Sequence, residues 1–133
     1  FELTLPRPLP GPLTLAVTDG LDRTREIASP WAFPPEIGDQ DLYLFNEGRL
    51  TRGWQVLGAL QRIRDGVAGT RFACWAPSAE RVSVVGDFNG WDGRAHPMTS
   101  RGASGVWELF VPGIAAGALY KFEIRNRATG AVF

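Results

Sequence analysis

From Gly69 onward the sequence is cut into short runs rich in β-branched and aromatic residues, each closed by turn-forming residues. These are Thr70 to Ala76 before Pro77-Ser78, Arg81 to Gly86, Gly105 to Val111 before Pro112-Gly113, and Leu119 to Arg125. Runs of this length and texture read as half-buried strands. Four of them within about sixty residues predict an antiparallel β-sandwich, an all-β fold. Alternation proposes its buried set: Phe72, Cys74, Val82, Val84, Trp107, Leu109, Val111, Tyr120, Phe122 and Ile124.

One of these runs ends unusually. Val84-Val85-Gly86 passes into Asp87-Phe88-Asn89-Gly90-Trp91-Asp92-Gly93, where Asn89-Gly90 and Asp92-Gly93 are dipeptides that readily adopt positive φ. A strand therefore delivers two aromatics into a loop. Phe88 is expected to turn back into the core, whereas Trp91, flanked by turn residues, is the aromatic expected at the surface.

The first half of the chain has a different character. Residues 1–29 run through Pro6, Pro8, Pro10 and Pro12 to an alternating Leu13–Val17 stretch, a turn at Asp19-Gly20 and a return strand at Thr24–Ala28. Two or three strands bury too little to stand alone in water, so this part reads as the C-terminal remnant of a preceding β domain. Ser29 to Pro35 holds three prolines and reads as a stiff linker anchored by Trp31 and Phe33. Asp39-Gln40-Asp41 offers a helix N-cap and Glu47-Gly48 a stop, predicting a short helix, and residues 49–66 read as a covering loop with one turn of helix. The expected division is a remnant over 1–29, a linker with a short helix over 30–66, and the sandwich over 67–133.

Composition excludes several classes. Formal net charge is zero over 133 residues, so no cationic excess is available to displace counterions from a nucleic acid or to hold a membrane surface. No apolar run approaches the roughly 18 residues of a transmembrane helix and no signal-peptide pattern opens the chain; the expected location is the cytoplasm. Cys74 is the single cysteine and reads as a small buried hydrophobe.

Catalytic chemistry is hard to find. His96 is the only histidine, in a loop-like Arg94-Ala95-His96-Pro97 that predicts an exposed side chain. No G-x-S-x-G elbow, phosphate-binding G-x-x-x-x-G-K or complete calcium loop occurs, and no cofactor or metal is expected. Asp87, Asp92, Glu108 and Glu123 read as solvated-face or turn residues rather than as an acid–base pair.

An aromatic and polar surface remains. Sugar rings present apolar C–H faces and rims of hydroxyls, which call for a flat aromatic platform beside hydrogen-bond donors. Trp91 supplies a platform. The chain has thirteen arginines and one lysine, Lys121 in Tyr120-Lys121-Phe122, and a compact ammonium on a flexible stem can serve several hydroxyls at once. A lysine on the outward face of a strand needs no ligand to explain it, and the residues alone leave both readings open.

The segments Gly69–Ser78, Val82–Gly93, Ser104–Gly113 and Leu119–Ile124 resemble carbohydrate-binding module family 48, and the stretch Pro34–Gly48 with Leu57-Gly58-Ala59 is similar to the segment preceding that module in bacterial 1,4-α-glucan (glycogen) branching enzymes. The resemblance implies an immunoglobulin-like sandwich, a β domain before it and a (β/α)₈ catalytic barrel after Phe133, where the family's nucleophile and acid–base residue reside. Where that family commonly has Gly-Ala-His, this chain has Gly58-Ala59-Leu60. Similarity to the glycogen-binding domain of the AMP-activated protein kinase β subunit implies that Trp91 stacks on a sugar and Lys121 contacts one, with Phe133 the nearest candidate for a second stacking aromatic; Asn89, beside Trp91 in the loop, is expected to assist.

The resemblance thus implies an N-terminal, non-catalytic fragment of a branching enzyme whose partners are α-1,4-glucan or glycogen and the barrel of its own polypeptide. Two alternatives accompany it: a free-standing glycogen-binding or scaffold module, and a purely structural spacer for the barrel.

Overall fold

The computed structural model describes Thr4, residues 6–8 and residues 13–133. Expectations that rest on Phe1, Glu2, Leu3, Leu5, Pro10 and Pro12 lie outside the described residues.

The first described element is an antiparallel hairpin of β1 (Thr14–Thr18) and β2 (Thr24–Ala28), in register from Thr14 opposite Ala28 to Thr18 opposite Thr24. Its turn is tied by the Asp19 carboxylate, which accepts the N–H groups of Leu21 and Arg23. Leu15, Val17 and Ile27 all remain exposed.

Residues 30–57 form a cover bolted to the sandwich. Phe33 is buried with its ring edge-on to Phe110, centroids 4.8 Å apart. Helix α1 spans Asp39–Asn46. Its N-cap is Gly38, not one of the aspartates; Asp39 and Asp41 lie in the first turn, where carboxylates favour the positive end of the helix dipole. The stop falls where expected, with Gly48 at φ 66° and the Arg49 N–H donating back to Leu44 O. Leu42, Ile37 and Val56 pack on Ala73 and Val106 to make a small core of their own.

Of the expectation for residues 49–66 the turn of helix is found, and the covering loop is corrected from Gly58 onward. After a turn of 3₁₀ helix at Gly53–Gln55 the chain enters β3 (Gly58–Arg64), which pairs over its whole length with β4 (Val67–Trp75). Asp65 (φ 49°) and Gly66 (φ 77°) form the two-residue connection, whose paired positive φ values match the strand twist of a tight hairpin.

The remaining strands are β5 (Ala79–Gly86), β6 (Thr99–Ser100), β7 (Val106–Pro112) and β8 (Tyr120–Asn126). One sheet has the order β3-β4-β7-β6 and the other pairs β5 with β8, all antiparallel. Segment 96–98 runs along the free edge of β5, the Val84 N–H donating to His96 O and the Met98 N–H to Val82 O, before continuing into β6 on the other sheet. Between the sheets lie Phe72, Val82, Val84, Met98, Trp107, Leu109 and Val111, with Cys74, Phe88, Tyr120, Phe122 and Ile124 packed against them half-buried. The alternation reading of the core holds. No helix among the described residues is long and apolar enough to cross a membrane.

Glu108, expected to be solvated, is 3% exposed. It lies on the outer face of its sheet, which residues 30–57 roof over, and its carboxylate accepts the N–H groups of Glu36 and Ile37. Arg71 on the same face is also buried and donates to Gln55 O and Val56 O. Burial depresses its pKa and the nearby Glu36 carboxylate opposes that shift.

Candidate functional site

The loop between β5 and segment 96–98 lies over the outward face of β5 and β8. Two glycines permit this. A Cβ on Gly86 would collide with Leu119 O and the Phe88 ring, and one on Gly93 would collide with the Glu123 carboxylate, so the backbone comes closer to β8 than any side chain would allow. Phe88 folds back against the core as expected.

Trp91 is 43% exposed and sits at φ 60°, immediately after Gly90 at φ 63°. Positive φ is uncommon for a bulky residue and costs about 1–3 kcal/mol, so the surroundings must over-determine it. They do so at two points: the Trp91 N–H donates to Gly86 O at 3.0 Å and its indole N–H to Asp87 Oδ1 at 2.9 Å. With its N–H spent inside the loop, the indole offers a ligand its flat face.

Lys121 projects from the outward face of β8, where it is paired in register with Val85. Its Nζ lies 6.0 Å from the centroid of the Trp91 ring, within cation–π range. Among the described residues it takes part in no ion pair and no side-chain hydrogen bond. An ammonium with no recorded polar partner among the described residues thus stands over the face of a half-exposed indole. Further along the same face Arg81 pairs with Glu123 at 2.7 Å, and Asp92, held down to about 2 by the Arg94 guanidinium and backbone N–H, braces the end of the loop.

The other two residues singled out from sequence are placed differently. Asn89 is spent inside the loop: its Oδ1 accepts the Gly86 N–H at 2.9 Å, and its Nδ2 donates to Val84 O at 2.9 Å and lies 2.9 Å from His96 Nδ1. It positions the loop and has no donor left over. Phe133 is 75% exposed but exchanges both backbone hydrogen bonds with Ile124 on the free edge of β8. Directly paired residues share a face, so Phe133 lies on the Tyr120, Phe122 and Ile124 side, opposite to Lys121. The structure does not bring it to the Trp91–Lys121 pair.

His96 corrects another expectation. It is half-buried between Phe88, at 5.7 Å between ring centroids, and Trp31, stacked at 6.5 Å with an interplanar angle of 20°. Trp31 in turn donates its indole N–H to Pro97 O. The linker aromatic is thereby fastened to the loop that carries Trp91.

A family model described as carbohydrate-binding module 48 (isoamylase N-terminal domain) matches residues 56–132, which takes in β3 as well as the strands after it. Over 96% of its length the chain is 55% identical to the 1,4-alpha-glucan branching enzyme GlgB of Nitrosospira multiformis, covering 17% of that protein. It is 59% identical to the like-named enzyme of Methylococcus capsulatus over 86% of the chain and 16% of the relative. With that of Nitrosomonas europaea the identity is 62%, over 77% and 14% respectively. The chain therefore spans about a sixth of the length of the curated relatives it matches.

Proposed function

This chain belongs to the carbohydrate-binding module 48 family, and from that premise we propose that it is the α-glucan-binding, non-catalytic part of a cytoplasmic 1,4-α-glucan branching enzyme. The parent would cut an α-1,4-linked chain and transfer it to a 6-hydroxyl by the retaining, two-carboxylate route, on residues outside this chain. The module's share is to hold α-1,4-glucan or glycogen near that chemistry, with no role for nucleic acid or membrane.

One observation carries the reading: the Lys121 ammonium lies 6.0 Å from the centroid of a half-exposed indole whose own N–H is already bonded. A pyranose laid on the Trp91 ring would bury its C–H side there and displace the Lys121 ammonium, on its flexible stem, from over the ring to the hydroxyl rim. Asn89 acts indirectly, by fixing the loop. Phe133 has no part in this site.

A second reading, a structural spacer for the catalytic barrel, is favoured by the cover of residues 30–57 bolted through Glu108 and Arg71. Native gels containing glycogen separate the two. Retardation of the parent that is lost in Trp91→Ala supports the binding module; migration unchanged by glycogen supports the spacer. Loss of iodine colour from amylose incubated with this chain alone would overturn the non-catalytic assignment.

A further inference from the structure

The hydrogen bonds around Asn89 fix more than a loop. Its amide orientation follows from two backbone partners, because Oδ1 must face the Gly86 N–H and Nδ2 must face Val84 O; the flipped amide would set donor against donor and acceptor against acceptor. The second Nδ2 hydrogen then points at His96 Nδ1, 2.9 Å away. That ring nitrogen has to be a bare acceptor, which puts the proton of the neutral imidazole on Nε2.

A second proton on the ring would place an N–H on Nδ1, directly against an N–H donor. The imidazole cannot easily turn away, since it lies between Trp31 and Phe88 and its own carbonyl accepts the Val84 N–H at 3.1 Å. Asn89 must yield instead. It holds Gly86, whose carbonyl accepts the N–H of Trp91 at 3.0 Å.

Among the described residues no charged group is found to act on the ring. Trp31, Phe88 and Asn89 contact the ring, and none of them is charged or titrates in this range. The loop's carboxylates are held elsewhere, Asp87 by the Trp91 indole and Asp92 by Arg94. Burial alone holds His96 below its ordinary value.

We propose that His96 is a positioning residue for the Trp91 platform: in its neutral form it holds Asn89 and the loop in the glucan-binding arrangement, and its protonation releases that arrangement and weakens binding of an α-1,4-glucan. The inference rests on the reading of Trp91 and Lys121 as the glucan face and adds a control by pH to it.

The test uses the whole chain, with maltoheptaose as the probe, titrated from about pH 7.5 to about pH 5. His96→Asn is the informative variant, because its amide oxygen can reach the place of Nδ1 and does not titrate. Affinity of the parent should fall roughly fivefold or more across that range, the worth of one lost hydrogen bond, while H96N stays flat. Equal pH dependence in both proteins, or none in the parent, overturns the proposal. A second measurement needs no ligand and no variant: the Asn89 side-chain amide and the Trp91 indole N–H signals of the parent, followed by NMR, should shift together with a single midpoint below about pH 6.5. If maltoheptaose does not bind at any pH, the glucan reading fails, and the ligand-free titration decides the role of His96 alone. Signals that do not move over the range overturn it.

Discussion

The ammonium of Lys121 stands 6.0 Å from the centroid of the Trp91 indole, although one side chain comes from a strand and the other from a loop thirty residues earlier. The strand alternation of β8 turns Lys121 outward, and the Gly90-Trp91 left-handed pair turns the indole down onto the same face. Two unrelated local rules meet at one place.

Lys121→Met keeps the stem and removes the donors, so it should weaken maltoheptaose binding several-fold while leaving the melting temperature within a few degrees of the parent. With one indole and one ammonium the parent's dissociation constant is expected at about 0.1 to 1 mM, resting mainly on ring burial. Isothermal titration of both proteins checks this. Unchanged affinity in the methionine variant would assign Lys121 to the surface and leave Trp91 as the whole site.

Trp107→Ala should cost roughly 3 to 5 kcal/mol of stability, since it empties a large volume in the middle of the core and frees Ala76 O from the indole N–H it accepts. Urea unfolding followed by circular dichroism gives the difference directly. A loss of under about 1 kcal/mol would mean the site collapses around the cavity.

Much of this arrangement is legible in the sequence. The strands β4, β5, β7 and β8, their inward faces and the surface position of Trp91 follow from alternation and turn chemistry, because each depends only on residues a few places apart. β3 escapes the same reading. Ala59, Gln61 and Ile63 on its inner side have no second sheet over them and stay exposed, so no apolar stripe marks the strand, and only the Asp65-Gly66 turn announces it. Glu108 and His96 fail for another reason. Alternation puts Glu108 on the outer face, but nothing nearby tells that residues 30–57 roof that face, nor that Trp31 closes over His96 from sixty-five residues away. Phe133 is a matter of register: its pairing with Ile124 sets its face, and pairing across a sheet edge is not written in spacing.

The Cys74 thiol is pushed up to about 11 by burial. At neutral pH the reactive thiolate is then about a hundredfold scarcer than for a free cysteine. Labelling by a thiol-specific disulfide reagent should be slow in the native chain and fast in urea. It should also speed up steeply as pH rises toward the thiol's own value, since the raised pKa places its deprotonation there. Native labelling as fast as that of a small thiol would show the strand opening around Cys74.

Glu108→Ala should destabilise the chain by about 3 to 5 kcal/mol, because it strips a buried and a half-buried N–H group of their acceptor and leaves Arg101, 3.9 Å from the lost carboxylate, without that charge. Glu108→Gln keeps one acceptor and should cost less. Limited proteolysis offers a local check: cleavage between residues 30 and 57 should rise in the alanine variant before the sandwich melts. Equal nicking of parent and variant would show that Phe33 on Phe110 is enough to hold the cover.

The hairpin of β1 and β2 should be the least protected described part of the chain. Its ten strand residues are exposed or nearly so, with Leu15 at 36% and Val17 and Ile27 at 37%, whereas most of β7 is buried. Two strands joined by five register pairs and a single Asp19 turn gain little from burial, and an isolated pair of this size is at most marginally stable in water. Its amides should therefore exchange through local opening, about a hundredfold or more faster than those of β4 and β7, which open only with the whole sandwich. Hydrogen exchange read by mass spectrometry on a dilute, demonstrably monomeric sample measures this. Protection of Thr14–Ala28 equal to that of β7 under those conditions would mean that the apolar side formed by Leu15, Val17 and Ile27 is covered, and that the hairpin shares one cooperative unit with the sandwich.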